Sequence, residues 1–343
     1  MKRSLSVCLA LAAAALLARA PDSRAETVLT LSSWMPPGHA NVAGGIMPWA
    51  ADVEKATDGR VKVRVLPAPL GKPAAHFDMA ANGIADITYG VQGYQPGRFL
   101  TAEAVELPFL GATAEVMSVA YWRIFKKYLE QVGEYKDVQV LGVYTHGPGQ
   151  IFNNVRPIKT IDDLQSVKIR IGGGVVNETA KALGMQVIHK PADEVFSLLS
   201  SGVIEGVAFP KETVKSYNLS KYIDYATIVP GGFYNVSWFL VMNKSKFESL
   251  SADDQAAIMR VSGETFARRV GKAWDDADAS AIDFMQAQGI EVDTVSPEFV
   301  AQMKAMTDTV ETDWYADVAP LGLDGRQVMT DLRAEIDRLQ AGQ

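Results

Sequence analysis

The chain contains almost no cysteine: Cys8 is the single one among its 343 residues. One thiol cannot form an intramolecular disulfide or a multi-thiolate metal site, which excludes disulfide-stabilised folds and zinc-finger-like modules. A chain of this length does not require such cross-links, because it buries enough apolar surface to fold without them.

Basic residues are fewer than acidic residues. The chain has 33 Lys and Arg residues against 40 Asp and Glu residues, a formal net charge of −7, and no basic run. This balance lacks the electrostatic footprint of a nucleic-acid-binding protein. Hydrophobic residues make up 48% of the chain, too many for a disordered protein. At roughly 150 residues per domain, the length suggests two domains.

Recognisable catalytic motifs are absent as well. The sequence has no Gly-x-Ser-x-Gly, no His-Glu-x-x-His and no Walker loop. The histidines are scattered without the spacing of metal ligands; they are His39, His76, His146 and His189. The sequence therefore predicts no catalytic residue, no metal site and no cofactor.

What is present begins with a targeting segment. A positively charged start, MKR, precedes an apolar stretch over residues 9–18, and small residues end at Ala25. This pattern predicts a secretory signal peptide cleaved after Ala25, with cleavage after Ala20 as the alternative. The apolar stretch is too short to span a membrane. We expect a mature protein without Cys8 in the periplasm.

A βαβαβ order occurs twice in the rest of the chain. Strands and short helices alternate over residues 27–89 and again over 167–209, which predicts two lobes with mostly parallel sheets. The segments FDMAANGIADITYG (Phe77–Gly90) and FSLLSSGVIEGVAF (Phe196–Phe209) place phenylalanine, glycine and an acidic residue at the same offsets. Two similar α/β lobes with a ligand between them describe a periplasmic binding protein.

A long helix is predicted after the second repeat. Residues 252–288 contain no proline, Ser251 is a suitable N-cap, and Trp274 lies in the apolar stripe. A helix of ~35 residues would be ~50 Å long and could cross both lobes. The alternative is two helices that are broken near Gly271 or near Asp275.

Arg170 is the first candidate binding residue. It lies at the carboxyl end of the predicted strand 167–171, the edge at which open α/β folds bind ligands. A guanidinium binds a carboxylate through two hydrogen bonds, although position alone is equally compatible with a surface arginine. The following Gly172-Gly173-Gly174 could receive an anion at a helix start or form a close-packed turn.

Aromatic residues at or just after the predicted strand ends give a second signal. Core packing is the default role of each, but as a set they could line an apolar pocket. The set comprises Trp34, Phe77, Tyr94, Tyr144, Phe209, Phe233, Tyr234 and Trp238.

Six segments carry a resemblance to a known family. They are LSSWMPPGHANVAG, GIADITYGVQGY, VELPFL, IKTIDDLQSVKIRI, PADEVFSLLSSGVIEGV and WFLVMNKSKFESLSADDQAAI. In combination they resemble the solute-binding proteins of tripartite ATP-independent periplasmic (TRAP) transporters, the DctP-type family, over nearly the whole mature chain. The resemblance implies an α/β, two-lobed periplasmic-binding-protein fold with a long helix spanning both lobes. Such a protein closes on an organic acid and delivers it to an ion-gradient-driven membrane permease.

The resemblance also assigns roles in the site. Members hold a ligand carboxylate with an arginine that corresponds to Arg170. Phe209 stands where sialic-acid and many dicarboxylate members have asparagine, and residues 147–150 lack the arginine that those members often have. A second carboxylate would stay unpaired in such a cleft, so we expect an aromatic or other hydrophobic monocarboxylate.

The remaining site residues are expected to surround that ligand. Trp34, Phe209 and Phe233 would pack on its body. Polar or aromatic contacts would come from Gln92, Tyr94, Tyr144, His146, Tyr234 and Asn235. Glu212 would accept a hydrogen bond from a ligand hydroxyl or pair with a neighbouring lysine.

We expect lobe I to comprise residues 26–149 and about 237–270, and lobe II residues 150–236 and about 271–343. The protein would be a monomer that contacts the permease subunits transiently and binds no nucleic acid and no cofactor. Two alternatives stay open. One is a binding protein for a C4-dicarboxylate or a short hydroxy or keto acid; the other is a secreted α/β enzyme or a ligand-presenting partner of a sensor kinase.

Overall fold

The computed structural model describes residues 26–342, so the predicted signal peptide and its cleavage site at Ala25 lie outside the described residues. The described chain forms two β-sheets with helices packed on them. The strands are β1 (Thr27–Ser32), β2 (Val61–Val65), β3 (Ile87–Val91), β4 (Val138–Thr145), β5 (Gln150–Asn153), β6 (Lys168–Ile171), β7 (Gln186–His189), β8 (Gly206–Phe209), β9 (Tyr225–Ile228), β10 (Ser237–Asn243) and β11 (Glu291–Thr294).

The α-helices are mostly short and connect the strands. A π-helical turn (Asn41–Ile46) leads into the first, and a 3-10 helix (Leu100–Val105) precedes the third. The helices are α1 (Met47–Ala56), α2 (His76–Ala81), α3 (Ala114–Ile124), α4 (Ile161–Gln165), α5 (Val176–Ala182), α6 (Val195–Ser200), α7 (Thr213–Ser216), α8 (Lys244–Glu248), α9 (Ala252–Val261), α10 (Glu264–Ala279), α11 (Ala281–Ala287), α12 (Pro297–Met306), α13 (Asp308–Val318) and α14 (Gly325–Ala341).

The two sheets share the topology of five strands, and the lobe II sheet has β11 as a sixth. The lobe I sheet has the order β2-β1-β3-β10-β4, and the lobe II sheet has the order β7-β6-β8-β5-β9-β11. In each lobe the three parallel strands are those of a predicted βαβαβ unit, so the predicted repeat is confirmed. An antiparallel strand follows in each, β10 in lobe I and β5 in lobe II, and neither was part of the sequence prediction.

The matching segments of the two repeats adopt the same local structure. Gly83 and Gly202 end the preceding helices with φ of +70° in both, a conformation that favours glycine. The acidic residues then bind the neighbouring strand: Asp86 accepts the Thr30 N–H of β1 at 2.7 Å, and Glu205 accepts the first N–H of β6 at 2.9 Å. The sequence similarity of these segments therefore reports a real structural repeat.

The long helix is present as a helical run but is not continuous. Ser251 caps α9 by accepting the N–H of Asp254, as predicted. The run is interrupted at Gly263, where φ is +60° and the N–H donates to the Leu141 carbonyl at 2.7 Å, and again at Ser280. Neither interruption lies where the alternative prediction placed one. The run still reaches both lobes, because α9 packs on α1 whereas α11 packs on α7 and β11.

The predicted division of the carboxyl-terminal region needs a correction. Strand β11 pairs with β9 in lobe II, as expected for a segment after residue 271. Helices α13 and α14, however, share a hydrophobic core with lobe I, and α14 packs on α3. Trp314 of α13 donates to the Leu100 carbonyl at 2.8 Å. Residues 308–341 therefore pack mainly on lobe I, and α13 also contacts α5 of lobe II.

The chain crosses between the lobes between β4 and β5, and again between β9 and β10. These crossings lie close to the predicted boundaries at residues 149 and 236. Among the described residues, no helix is long and apolar enough to cross a bilayer, and no cluster of His, Cys, Asp or Glu side chains could hold a metal ion.

Candidate ligand-binding site

A cavity lies between the lobes, beside the β4–β5 and β9–β10 crossings and at the carboxyl ends of the parallel strands. This is the edge at which ligands bind in open α/β folds. Its walls come from both lobes and are mostly apolar or aromatic. They consist of Met35, His39, Val91, Tyr94, His146, Arg170, Gly172, Ala192, Phe209, Pro210, Thr213, Tyr217, Tyr234, Val236, Trp238 and Trp274.

The cavity is narrow. Its volume of about 30 Å³ has room for only one or two water molecules. A ring-sized ligand would fit only if the walls separate slightly, and hinge movement between two lobes is the usual way in which such walls separate. The geometry is that of two lobes closed on each other.

Arg170 is the only strongly cationic side chain in this wall. It is 2% exposed, and its Nε donates to the Lys190 carbonyl at 2.7 Å while an Nη donates to the Tyr94 hydroxyl at 3.4 Å. Among the described residues, no carboxylate forms an ion pair with it. A buried charge without a counter-charge is costly, so this guanidinium is a strong receptor for an anion.

Aromatic rings surround the guanidinium. Its central carbon lies 4.4 Å from the centroid of the Phe209 ring, within the range of a cation–π contact. Phe209 in turn stacks on Tyr217, with centroids 6.0 Å apart and planes at 14°. Across the cavity, Trp238 and Trp274 lie 6.3 Å apart. Flat apolar surfaces therefore adjoin the cationic end of the cavity.

Tyr94 links the two lobes at Arg170. It follows β3 of lobe I, and its hydroxyl also accepts the Ala192 N–H of lobe II at 2.9 Å. Burial raises the pKa of this hydroxyl more than the neighbouring Arg170 charge lowers it. Tyr94 is therefore a neutral hydrogen-bonding group at neutral pH and does not neutralise the arginine.

Several donors in the wall have no partner within residues 26–342. The indole N–H groups of Trp238 and Trp274 and the hydroxyl of Tyr217 are buried without a hydrogen bond. A buried donor without an acceptor destabilises the folded state by about 1–3 kcal/mol. These groups could be satisfied by a ligand oxygen or by ordered water.

A buried contact between a histidine and a carboxylate adjoins the wall. His39 Nε2 is 3.3 Å from Glu212 Oε1, and both side chains are at most 5% exposed. Burial raises the pKa of Glu212, but the contact with His39 and the hydrogen bond from Thr213 outweigh it, so the net pKa is lowered. By contrast, burial lowers the pKa of His146 to about 4, which makes this cavity residue neutral at pH 7.

The structure brings five of the predicted site residues to the cavity wall. They are Arg170, Phe209, Tyr94, His146 and Tyr234. Glu212 stands one side chain away, behind His39. The other five are buried outside the wall; they are Trp34, Gln92, Tyr144, Phe233 and Asn235.

The positions of these five have local reasons. Trp34 and Tyr144 both stack on the wall ring Trp238, with ring centroids 5.7 Å and 5.9 Å from it. The Gln92 amide is occupied by the hydroxyls of Tyr121 and Tyr135.

Phe233 packs against Tyr234 with centroids 4.8 Å apart. Asn235, the next residue on the second crossing, is 3% exposed, and its Oδ1 has no partner within the described chain. These two residues therefore support the crossing from behind the wall.

Sequence reasoning missed three wall residues with aromatic or imidazole rings, which come from distant segments. Trp274 had been recognised only as part of a helix stripe, whereas its ring packs on His39 at 4.8 Å. Tyr217 follows the four-residue helix α7 and has no sequence signal of its own. His39 looked isolated, because its partner Glu212 is far away in the chain.

The sequence comparisons agree with this geometry. Residues 32–317 match the model of the family described as bacterial extracellular solute-binding protein, family 7. The chain belongs to this family. A relative of similar length is the protein named outer membrane transporter protein TsaT from Comamonas testosteroni. It is 30% identical over 328 residues, which cover 95% of this chain and 97% of TsaT.

Solved structures of TRAP solute-binding proteins have the same fold. One from Bordetella bronchiseptica, with bound (R)-mandelate and (S)-mandelate, has a TM-score of 0.89 and 42% identity, covering 91% of this chain and 99% of that one. Another, from a marine metagenome and described as specific for aromatic acid ligands, was solved with 3-hydroxybenzoate. Its TM-score is 0.85 at 32% identity, covering 91% and 98% of the two chains. The two-lobed TRAP receptor fold expected from the sequence is thereby confirmed.

Proposed function

We propose that this family 7 protein is a periplasmic receptor for an aromatic monocarboxylate, exported by a signal peptide that ends at about Ala25. The observation that carries the proposal is the buried Arg170, which forms no ion pair within residues 26–342 and lies against the ring of Phe209. A ligand with one carboxylate and one aromatic ring complements both features.

The lining of the cavity supports a single carboxylate. Arg170 is the one lysine or arginine in the wall, so a second ligand carboxylate would be buried without a cation. The structural relatives were solved with mandelate and with 3-hydroxybenzoate, each of which combines one carboxylate, one ring and one hydroxyl. The unpartnered donors of Tyr217 and Trp274 favour such a hydroxylated acid over an unsubstituted one.

The mechanism that follows is binding by closure. The open lobes admit the acid, Arg170 binds its carboxylate, and the aromatic walls enclose its ring. The closed monomer then delivers the acid unchanged to the membrane permease. Nothing in this sequence of steps requires a catalytic residue, a metal ion or a cofactor.

Thermal-shift measurement on protein that has been unfolded and refolded to remove carried-over ligand tests the proposal. The panel contains benzoate, (R)-mandelate, (S)-mandelate, 3-hydroxybenzoate, succinate, pyruvate and sialic acid. A ligand that binds only the folded state stabilises it by about 4 kcal/mol at a thousandfold excess over Kd. We expect shifts with the aromatic acids alone, and larger ones with the hydroxylated acids. A shift only with succinate, pyruvate or sialic acid would overturn the aromatic assignment.

Product analysis after overnight incubation separates a receptor from an enzyme. A receptor returns the acid unchanged, whereas chemical conversion of the bound acid would support the secreted-enzyme alternative.

A further inference from the structure

We propose that Glu106 is a positioning residue that holds the two walls of the ligand cavity together when the lobes close. Glu106 is the second residue of the segment VELPFL, and it does not line the cavity. The inference goes beyond the proposed function, because it holds for any acid that the cleft accepts.

The carboxylate of Glu106 joins the two lobes directly. One oxygen accepts the backbone N–H of Ser237 at 2.9 Å and its hydroxyl at 2.5 Å, at the start of β10 in lobe I. The other oxygen accepts the N–H of Val175 at 3.0 Å, at the start of α5 in lobe II. Glu106 is 1% exposed, so all three bonds are shielded from water. Hydrogen bonds to a buried charged acceptor are the strong ones in proteins.

The local backbone is shaped for this contact. Gly174 has a φ of +78°, and a Cβ atom there would lie 2.0 Å from Glu106 Oε2. A Cβ atom on Gly93 of lobe I would likewise lie 2.6 Å from the Gly174 backbone nitrogen. The glycine turn after β6 therefore lets the lobe II backbone approach both the carboxylate and the turn after β3. This gives Gly174 a packing role and removes the need for an anion at the glycine run.

Both ends of the contact continue into the cavity wall. Val236 and Trp238, on either side of Ser237, line the cavity from lobe I. On the lobe II side, Gly172 lines it, and Gly172 follows Arg170 by two residues. The Glu106 carboxylate thus fixes the distance between the Trp238 wall and the strand that carries Arg170.

The Glu106 contacts stabilise the closed arrangement of the lobes, which must open before a bound ligand can leave. Their loss should speed ligand release and leave the rate of entry nearly unchanged. Glu106→Gln keeps the shape of the side chain but replaces one acceptor oxygen with a donor NH₂ group. The new NH₂ group then faces the N–H of Val175 or of Ser237, and two donors cannot form a hydrogen bond with each other.

The test is stopped-flow tryptophan fluorescence with (R)-mandelate and with 3-hydroxybenzoate, since Trp238 and Trp274 line the cavity. Measurements at pH 8 keep Glu106 ionised, because burial raises its pKa to about 7. We expect Glu106→Gln to raise koff by about tenfold or more and to change kon by less than about threefold. The matched control is Glu103→Gln, the same change on the adjacent turn at a carboxylate without a bond to Val175 or Ser237. It should leave koff within about twofold of the wild type.

A merely structural role would give a different pattern. Glu106→Gln would then lower the melting temperature and the active fraction but leave koff of the folded fraction unchanged, and this result would overturn the proposal. If Glu106→Gln does not fold, Ser237→Ala removes only the hydroxyl bond and should raise koff in the same direction by a smaller factor. An unchanged koff in Ser237→Ala would then contradict the clamp.

A second arm does not depend on ligand identity. X-ray scattering of the protein without added acid should show a larger radius of gyration for Glu106→Gln than for Glu103→Gln, because the closed arrangement is populated less. Equal radii would count against the clamp. If none of the acids binds the wild type while the radii differ as expected, the proposed function fails and the clamp stands.

Discussion

Lobe I and lobe II place different residues at one structural position next to the cleft. In lobe I, Ser32 of β1 pairs with Thr88 of β3. In lobe II, Arg170 of β6 pairs with Val207 of β8. These positions are equivalent, because Thr88 and Val207 lie equally far from the start of their repeated segments. Both Ser32 and Arg170 are buried. The Ser32 hydroxyl is within 3.1 Å of the His76 ring and accepts the Leu70 N–H, so its bonds stay inside lobe I.

A second equivalent pair follows the same rule. Gly90 and Phe209 occupy the last position of the repeated segments. In lobe I, a Cβ atom on Gly90 would lie 2.6 Å from the Phe239 ring, so the space is filled from within the lobe. In lobe II, the Phe209 ring forms part of the cavity wall. Equivalent positions of the repeat therefore contact residues of their own lobe in lobe I and face the ligand cavity in lobe II.

The largest effect should come from the cation of lobe II. Arg170→Gln removes the charge and keeps much of the side-chain volume, so a ligand carboxylate would be buried without a partner. We expect the affinity for mandelate or 3-hydroxybenzoate to fall at least about 100-fold, measured by titration calorimetry. An affinity within about threefold of the wild type would contradict the view that lobe II supplies the ligand-binding cation.

Replacing the ring of Phe209 should have the next largest effect. Phe209→Leu keeps an apolar wall but removes the stacking surface beside Arg170. We expect the affinity for aromatic acids to fall about tenfold, while an aliphatic acid of similar size loses less. Competition titrations with benzoate and cyclohexanecarboxylate measure this difference. An equal loss for both acids would show that Phe209 contributes volume rather than stacking.

The equivalent change in lobe I should leave binding intact and reduce stability. Ser32→Ala removes the acceptor of the Leu70 N–H and the hydroxyl that contacts the buried His76 ring. We expect the free energy of unfolding to fall by about 1–2 kcal/mol, measured by urea denaturation. The affinity for the acid should be unchanged. A loss of affinity comparable to that of Arg170→Gln would mean that lobe I also contacts the ligand at this position.

The smallest difference should come from the acidic residues of the repeat. Asp86 accepts both the N–H and the hydroxyl of Thr30, at 2.7 Å and 2.8 Å, whereas Glu205 accepts one backbone N–H. Asp86→Asn should therefore lower the free energy of unfolding by about 1 kcal/mol more than Glu205→Gln does. Equal losses would indicate that only the backbone bond matters.

The sequence was a good guide where structure is local. The parallel strands β1–β3 and β6–β8 follow from alternation over a few residues, and the cap at Ser251 follows from its own helix turn. The break at Gly263 was not predictable, because its N–H is held by Leu141 of another segment. Contacts between distant segments also explain why α13 and α14 were assigned to the wrong lobe. These helices lie on lobe I because α14 packs on α3.

The candidate site shows the same division. Arg170, Tyr94 and Phe209 were found because strand ends mark the ligand edge of an α/β sheet. Gln92 was expected to supply a polar contact to the ligand, but Tyr121 and Tyr135 from distant segments occupy its amide. Wall residues on helices, above all Trp274, required the tertiary fold.

The central claim is that the buried Arg170 binds the carboxylate of an aromatic acid. The most direct measurement is a calorimetric comparison of 3-hydroxybenzoate with 3-hydroxybenzamide, which has nearly the same shape but no negative charge. The account predicts that the amide binds at least about 100-fold more weakly. It also predicts that this difference largely disappears in Arg170→Gln. Equal affinities of the acid and the amide for the wild-type protein would contradict the claim.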